Sequence, residues 1–434
     1  MIKKTLLLTI LPFFSVGIFA DGLDSGDTAW ILTSTALVLL MTLPGLSLFY
    51  AGLVRSKNAI SVLMQCFAIA CIVSVAWVVY GYSLAFTDGD GGFIGGTSMF
   101  FLSGIGRETL AGNGTMPTSL FVIFQMTFAI ITPALVVGAF AERMKFGAMC
   151  LFSLLWFTAV YIPACHMIWG GGYLAQEGAA VRDFAGGLVV HLTCGVGALV
   201  VALVLGPRKG FPSTAMPPHN RTMVVTGAAL LWVGWFGFNA GSSWSADGLA
   251  GMAMLVTHIS AATGALTWMA IEWIKGGKPT IVGIATGMVA GLATITPAAG
   301  SVGPEGALLI GLMAGVICFY ATQAVKSVFG IDDSLDVFPV HGVGGIIGII
   351  MVTFVGVKGG FLGSSAFETG ETWKSMEQLM IQLKGIAVIG LWTAVASWII
   401  LKVVGSLMPL RVTEEEEYEG LDVTEHEERS YDLV

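Results

Sequence analysis

The chain is predicted to be an all-α polytopic membrane protein with eleven transmembrane helices. Three observations predict it. Of the 434 residues, 55% are hydrophobic and only 11% are charged, whereas a soluble domain carries roughly 25% charged residues. The apolar residues lie in long runs such as residues 60–79, ISVLMQCFAIACIVSVAWVV, and about 20 such residues cross the hydrocarbon layer as a helix. The runs do not alternate polar with apolar, as the roughly ten-residue strands of a membrane barrel must.

Residues 1–20 read as a cleaved signal peptide. Lys3 and Lys4 are its positive end, Leu6 to Phe19 its apolar stretch, and Ala20 a small residue before Asp21. Pro12 and the short apolar run argue against a further span. Eleven apolar segments follow, near 28–54, 60–86, 118–141, 146–169, 185–206, 222–243, 248–274, 280–297, 305–328, 338–358 and 384–408. With the mature N-terminus outside, thirteen Lys/Arg fall on the cytoplasmic side and five outside, which is the bias that orients membrane proteins. An odd number of crossings then leaves the C-terminus in the cytoplasm. The membrane domain is expected over 21–408 and a tail over 409–434. The tail holds ten Asp/Glu and two Lys/Arg. The rest of the chain is balanced, so the whole net charge of −8 sits there. Such a run is either a solvated acidic end or, since Leu, Val and Tyr are mixed in, a segment that docks.

Several function classes are excluded. No nucleotide-binding motif, soluble catalytic domain or metal cluster is present, so an ATP-driven pump and a membrane enzyme are disfavoured. Cys66, Cys71, Cys150, Cys165, Cys194 and Cys318 lie in or beside apolar runs and read as small packing residues. Many of the 58 glycines recur at four-residue spacing, as in Gly283, Gly287 and Gly291, Gly311 and Gly315, or Gly237 and Gly241. That spacing lets helices approach closely in lipid.

Two histidines stand apart. His191 lies in DFAGGLVVH, inside an otherwise uncharged run, and His341 lies in DVFPVHGVGG near the start of another. An acid precedes each: Asp183 by eight residues and Asp336 by five. The two segments are the fifth and the tenth, five places apart, so they cross in opposite directions. This suggests two inverted five-helix repeats, about 28–206 and 222–358, with an eleventh helix at about 384–408. A lone intramembrane histidine is ordinarily a packed, hydrogen-bonded core residue. Two at equivalent places can face each other, share one proton and line a narrow path. A metal is not expected, because no third ligand is seen at helical spacing from either. His258 reads as packing; His166 ends segment four, and His219 sits in a cytoplasmic loop.

Aromatic residues complete the pattern. Phe124 and Phe128 share a helix face, as do Trp235, Phe238 and Ser242. Trp169 opens WGGGY at an external mouth. Such stripes ordinarily pack or anchor at the interface. Aromatic faces also attract ammonium-type cations, and a Ser hydroxyl beside them adds an acceptor that favours a cation able to donate hydrogen bonds.

The elements DFAGGLVVH (183–191), FNAGS (238–242), DDSLDVFPVHGVGG (332–345), AERMKFG (141–147), WGGG (169–172) and the tail EGLDVTEHEERSYDL occur in one order. Together they resemble the ammonium transporters of the Amt/Mep/Rh superfamily, in its bacterial Amt branch, over essentially all of 21–434. The resemblance implies an external recruitment site of Phe128, Trp169 and Ser242, a gate of stacked Phe128 and Phe238, and a pore with twin histidines His191 and His341. Asp183 would support the recruitment site, with Phe124 and Trp235 beside the path. It further implies a homotrimer with one central pore per protomer in the bacterial cytoplasmic membrane, no cofactor, and a PII-type signalling protein docking at the cytoplasmic face. The spacing from Trp169 to Asp183 is longer here than in the family. Alternatives are an electroneutral ammonia or carbon dioxide channel of the Rh type, told apart by the absence of current, and an ammonium sensor. The roughly 26 residues after the last segment are too few for a fused signalling domain.

Overall fold

The computed structural model describes residues 22–89, 92–176, 180–356 and 375–431. The expected signal peptide lies outside them. The described residues hold no β-strand beyond isolated bridges. Among the described residues, ten helices are long and apolar enough to cross a membrane: α1 Ser25–Leu53, α2 Ser56–Phe86, α3 Thr118–Phe140, α4 Phe146–Trp169, α5 Gly187–Leu205, α6 Arg221–Ser243, α7 Gly248–Gly276, α9 Pro304–Val328, α10 Phe338–Val355 and α11 Met376–Leu407. Between α7 and α9 runs the shorter apolar α8, Ile281–Ile295. Two short helices in the tail, α12 Glu414–Glu419 and α13 Leu421–His426, follow.

Two segments differ from the hydropathy reading, each for a local reason. The eighth, expected over 280–297, stops at Ile295, before Pro297, which has no N–H to continue the ladder. Its 15 residues rise about 22 Å. The eleventh begins well before 384. Its first turns carry Gln378 and Gln382, which lower the hydropathy but are buried. Gln382 donates to the Arg182 and Ile349 carbonyls at 2.8 and 3.1 Å and accepts from the Arg182 N–H at 2.8 Å. Those bonds make a polar turn affordable in the core.

Close helix approach is the organising feature. α8 meets α7 with the Gly291 Cα side against the Ser260 carbonyl, where an added Cβ would stand 2.3 Å from oxygen. The small-residue spacings are thus contact faces. α1, α2 and α4 each contain a widened π turn, at Met41–Leu46, Trp77–Gly81 and Phe157–Tyr161, the first accommodating Pro44. α5 and α10 begin with such turns, Gly187–Leu192 and Phe338–Gly342, and each turn carries one of the two singled-out histidines.

Candidate functional site

α5 and α10 cross by reciprocal glycine contacts. An added Cβ on Gly195 would lie 2.3 Å from the Gly342 Cα, and one on Gly345 would lie 2.6 Å from the Gly187 carbonyl and 3.0 Å from the His191 Cβ. Gly195 stands four residues after His191, and Gly345 four after His341. Each helix therefore offers its glycine to the turn that carries the other's histidine. The two rings face each other, with Nδ1 to Nδ1 at 3.3 Å and centroids 5.2 Å apart. His191 is 1% exposed and His341 4%. One Nδ1 must donate and the other accept, so a single proton lies between them. His191 Nε2 is buried and has no hydrogen-bond partner.

The starts of both helices are held by carboxylates. Asp183 accepts from the N–H groups of Gly186 and Gly187 on one oxygen and of Leu188 and Val189 on the other, at 2.5–3.2 Å. It thereby satisfies four amides that a helix start leaves unpaired. Burial raises its pKa, and these amides oppose the rise. On α10 the same task falls to Asp333, which accepts from the Phe338 N–H at 2.7 Å. Asp333 lies eight residues before His341, as Asp183 lies eight before His191. The sequence pairing of Asp183 with Asp336 is therefore corrected. Asp336 instead ion-pairs with Lys326 at 2.7 Å, with its backbone at φ 61°. Burial, followed by the neighbouring Asp336, pushes the Asp333 carboxyl up to about 6.

Above the histidines, on the face away from the tail, stand the aromatic residues. Phe128 and Phe238 are each 1% exposed, and their rings approach to 4.3 Å at an interplanar angle of 35°. Phe124 packs edge-on to Phe128 at 5.1 Å. Trp169, half-buried, meets Phe128 edge-on at 5.8 Å, and its indole N–H donates to the Asp183 carbonyl at 2.9 Å. Asp183 thus braces both the helix start and the tryptophan. The Ser242 hydroxyl donates to the Phe238 carbonyl at 2.9 Å, which leaves its lone pairs to accept from elsewhere. Trp235 donates to Thr296 at 2.9 Å and stacks on His191 at 5.5 Å. Phe238 lies 6.1 Å from the His191 ring.

Below the phenylalanines is a chamber of about 10 Å³, lined by both histidines and by apolar side chains such as Leu46, Ile131, Leu135 and Leu231. It is at the threshold for one water. His341, Tyr50, Phe49 and Val289 also line a vestibule of about 230 Å³ on the tail side, together with Lys326, Asp336, Met216 and Pro218.

Three other sequence readings are corrected. Cys194 does keep helical spacing with His191, three residues on, and one ligand atom from each of His191, Cys194 and His341 lies within 4.8 Å of the others. His258 is exposed on α7, its ring tilted by 32° against Trp232 at 5.2 Å, and is not part of the core. Of the cysteines, Cys71 is exposed and does not pack.

Sequence reasoning gave little weight to a charge cluster where the helices meet the tail. Glu142, Arg143, Arg208 and Asp332 are 1%, 0%, 7% and 2% exposed. Arg208 grips both Asp332 oxygens at 2.8–2.9 Å and Glu142 at 2.8 Å. Arg55 and Asn58 donate to the other Glu142 oxygen at 3.0 and 2.9 Å. Arg143 reaches Ser334 and the Asp332 carbonyl, both at 2.6 Å. Burial pushes the Glu142 and Asp332 carboxyls up, but the arginines outweigh it and hold both below their ordinary values. The signal was legible: four charges abut the ends of apolar runs. The tail docks on this cluster. Glu417, 1% exposed, accepts from the Lys209 N–H at 2.6 Å and Arg411 at 2.7 Å. Asp422, also 1% exposed, accepts from the Ser61 N–H at 2.8 Å. Tyr431 bonds His219 and Asn220, each at 3.0 Å. The tail is not a solvated end, and these contacts are to its own chain.

A multi-pass helical protein with a narrow, largely apolar chamber between two closely crossed helices belongs to the class of membrane transport proteins. Comparison with known proteins gives the family. Residues 29–431 match the Ammonium Transporter Family. An ammonium transporter of Bacillus subtilis is 45% identical over 417 residues, covering 94% of this chain and 99% of its own. The crystal structure of Candida albicans Mep2 superposes with a TM-score of 0.82 at 34% identity, over 91% of this chain and 88% of its own. A sensor Amt protein superposes at 0.84 with 28% identity, over 92% and 98%. The chain belongs to the ammonium transporter family.

Proposed function

We propose that this protein transports ammonium by separating it into ammonia and a proton. The ion is recruited on the outer side by the faces of Trp169 and Phe128 and by the Ser242 oxygen, which accepts one of its N–H bonds. Water is stripped there. The stacked Phe128 and Phe238 rings form the gate. A charge carried onward would enter a chamber with no counter-charge, which is costly. The ion therefore sheds its proton, and neutral ammonia passes His191 and His341. The paired imidazoles offer one acceptor and one donor at a time, and the proton between them can hop separately. Potassium has no proton to lose and is held out at this step. The observation that carries this reading is the pair of rings facing each other at 3.3 Å across a chamber of about 10 Å³ beneath two stacked phenylalanines.

The same proposal takes α8 as a crossing, giving eleven, with an external N-terminus, a cytoplasmic tail, and a place in a bacterial cytoplasmic membrane. The matched eight-residue Asp-to-His spacings and the reciprocal glycine contacts support two inverted five-helix repeats, about 28–206 and 222–358, inside a domain over 21–408. A homotrimer and regulation by a PII-type protein at the face carrying tail residues 409–434 belong to this reading.

The test is electrical recording on the purified protein in lipid. An ammonium gradient is expected to give a current, and potassium none. Replacing His191 or His341 by an apolar residue should lower the current or admit potassium. A protein that moves ammonia with no current would instead be an electroneutral channel. Ligand-dependent change at the tail without flux would make it a sensor.

A further inference from the structure

We propose that His191, Cys194 and His341 form a binding site for a soft monovalent metal ion, of the silver(I) or copper(I) kind, at the centre of the path. All three side chains are buried, and their ligand atoms lie within 4.8 Å of one another. The two Nδ1 atoms, 3.3 Å apart, already stand at about the separation of two imidazoles on one ion with bonds of roughly 2.0 Å. The sulfur enters from the same side because Cys194 is one turn beyond His191 on α5, its S–H donating to the His191 carbonyl at 3.4 Å. Binding draws it inward by about 1 Å, to reach the roughly 2.3 Å that a metal–thiolate bond requires.

Charge and softness select the ion. One thiolate neutralises one positive charge, so a monovalent ion leaves the apolar chamber neutral. A divalent ion would leave an uncompensated charge beside Leu46, Ile131 and Leu135. A thiolate with imidazoles suits soft ions over magnesium, calcium or potassium. The vestibule of about 230 Å³ reaches His341 and carries Asp336 at its wall, so the cation has a route from the tail side. Binding replaces the thiol proton, which leaves to solution, and the Nδ1 proton between the rings moves to Nε2 of its own ring by tautomerisation, so each imidazole stays neutral and one H⁺ is released for each ion bound. The bound ion occupies both imidazoles and closes the path.

The experiment uses full-length protein in a C71S/C150S background, which removes the exposed and the half-buried cysteine. In detergent and chloride-free buffer, silver nitrate is titrated while X-ray absorption and proton release are read. One ion per protomer is expected, with one sulfur and two nitrogen neighbours and one proton released. C194S should weaken binding by about tenfold or more; C165S and C318S should not. H341Q should keep the sulfur and lose one nitrogen neighbour, which preserves a test if C194S fails to fold. In proteoliposomes, silver should block the ammonium current of the background protein and spare that of C194S. Sulfur-only coordination, or equal silver binding by C194S, overturns the proposal. Only the current arm rests on the proposed conduction reading; coordination is measured without it.

Discussion

Two buried polar regions of this molecule solve opposite problems. The chamber around His191 and His341 holds groups that can be neutral, set among apolar side chains, with one imidazole nitrogen left without a partner. The cluster of Glu142, Arg143, Arg208 and Asp332 holds full charges, and each acid is answered by at least two arginine contacts. The first leaves hydrogen-bonding capacity for something passing through. The second uses its capacity internally and ties α3, the loops before α6 and α10, and the tail into one piece. Burial alone does not mark a functional polar group; unspent bonding capacity beside a path does.

The largest expected effect comes from breaking the charged region. Asp332→Ala leaves Arg208 with Glu142 as its one remaining acid and Arg143 with none in a dry setting, and should cost about 3–5 kcal/mol, read as a fall in the thermal unfolding temperature of the purified protein. A change under about 1 kcal/mol would mean that water enters the cluster.

Next is Asp183. Asp183→Ala leaves four amides without their acceptor, while the backbone carbonyl that holds Trp169 remains, a loss of roughly 2–4 kcal/mol. Asp183→Asn should retain more than half of it, since one oxygen still accepts. If Asn were as damaging as Ala, the charge and not the capping would be what matters.

The histidine pair should respond in the reverse sense. Single replacement of His341 by Leu leaves His191 without its partner and should cost about 1–3 kcal/mol; replacing both by Leu should cost less than either alone. Both changes should nonetheless lower the ammonium current sharply. A double variant less stable than the singles would show that the imidazoles hold the helices together and are not held for conduction.

The smallest effect is one of pH. Glu142 and Asp332 have pKa values held below their ordinary 4.5 and 3.8. A depressed carboxylate contributes stability that is fully present above the ordinary value and lost as pH falls through the depressed one. The docked tail should therefore resist proteolysis at neutral pH and loosen only in acid below those ordinary values. Release of the tail near pH 6 would point to Asp333, whose carboxyl is raised to about 6, as the controlling group.

Much of the site was legible because its residues break the rules of their surroundings. A histidine in an uncharged run, an aromatic stripe with one serine, and acids just before a span are each visible one-dimensionally. Asp333 was missed because DDSLD offers three acids in five positions, and only the α10 backbone selects the one that caps. Cys194 was missed because a thiol in an apolar run looks like a packing residue until a second helix brings His341 to it. The first turns of α11 were missed because Gln378 and Gln382 lower local hydropathy, and their partners lie on a distant loop.

The sequence by itself determined that this chain lives in lipid, roughly where its helices run, and which side chains are too polar for their neighbourhood to be accidental. Those follow from transfer free energies, which depend on composition and spacing alone. Tertiary structure decided which polar groups meet. Whether two imidazoles share a proton, whether an acid caps a helix or pairs with a lysine, and whether an acidic tail floats or docks depend on contacts between segments far apart in the chain. Hydrogen bonds and ion pairs act over a few ångströms, so only the folded arrangement of α5, α10 and the tail could settle them.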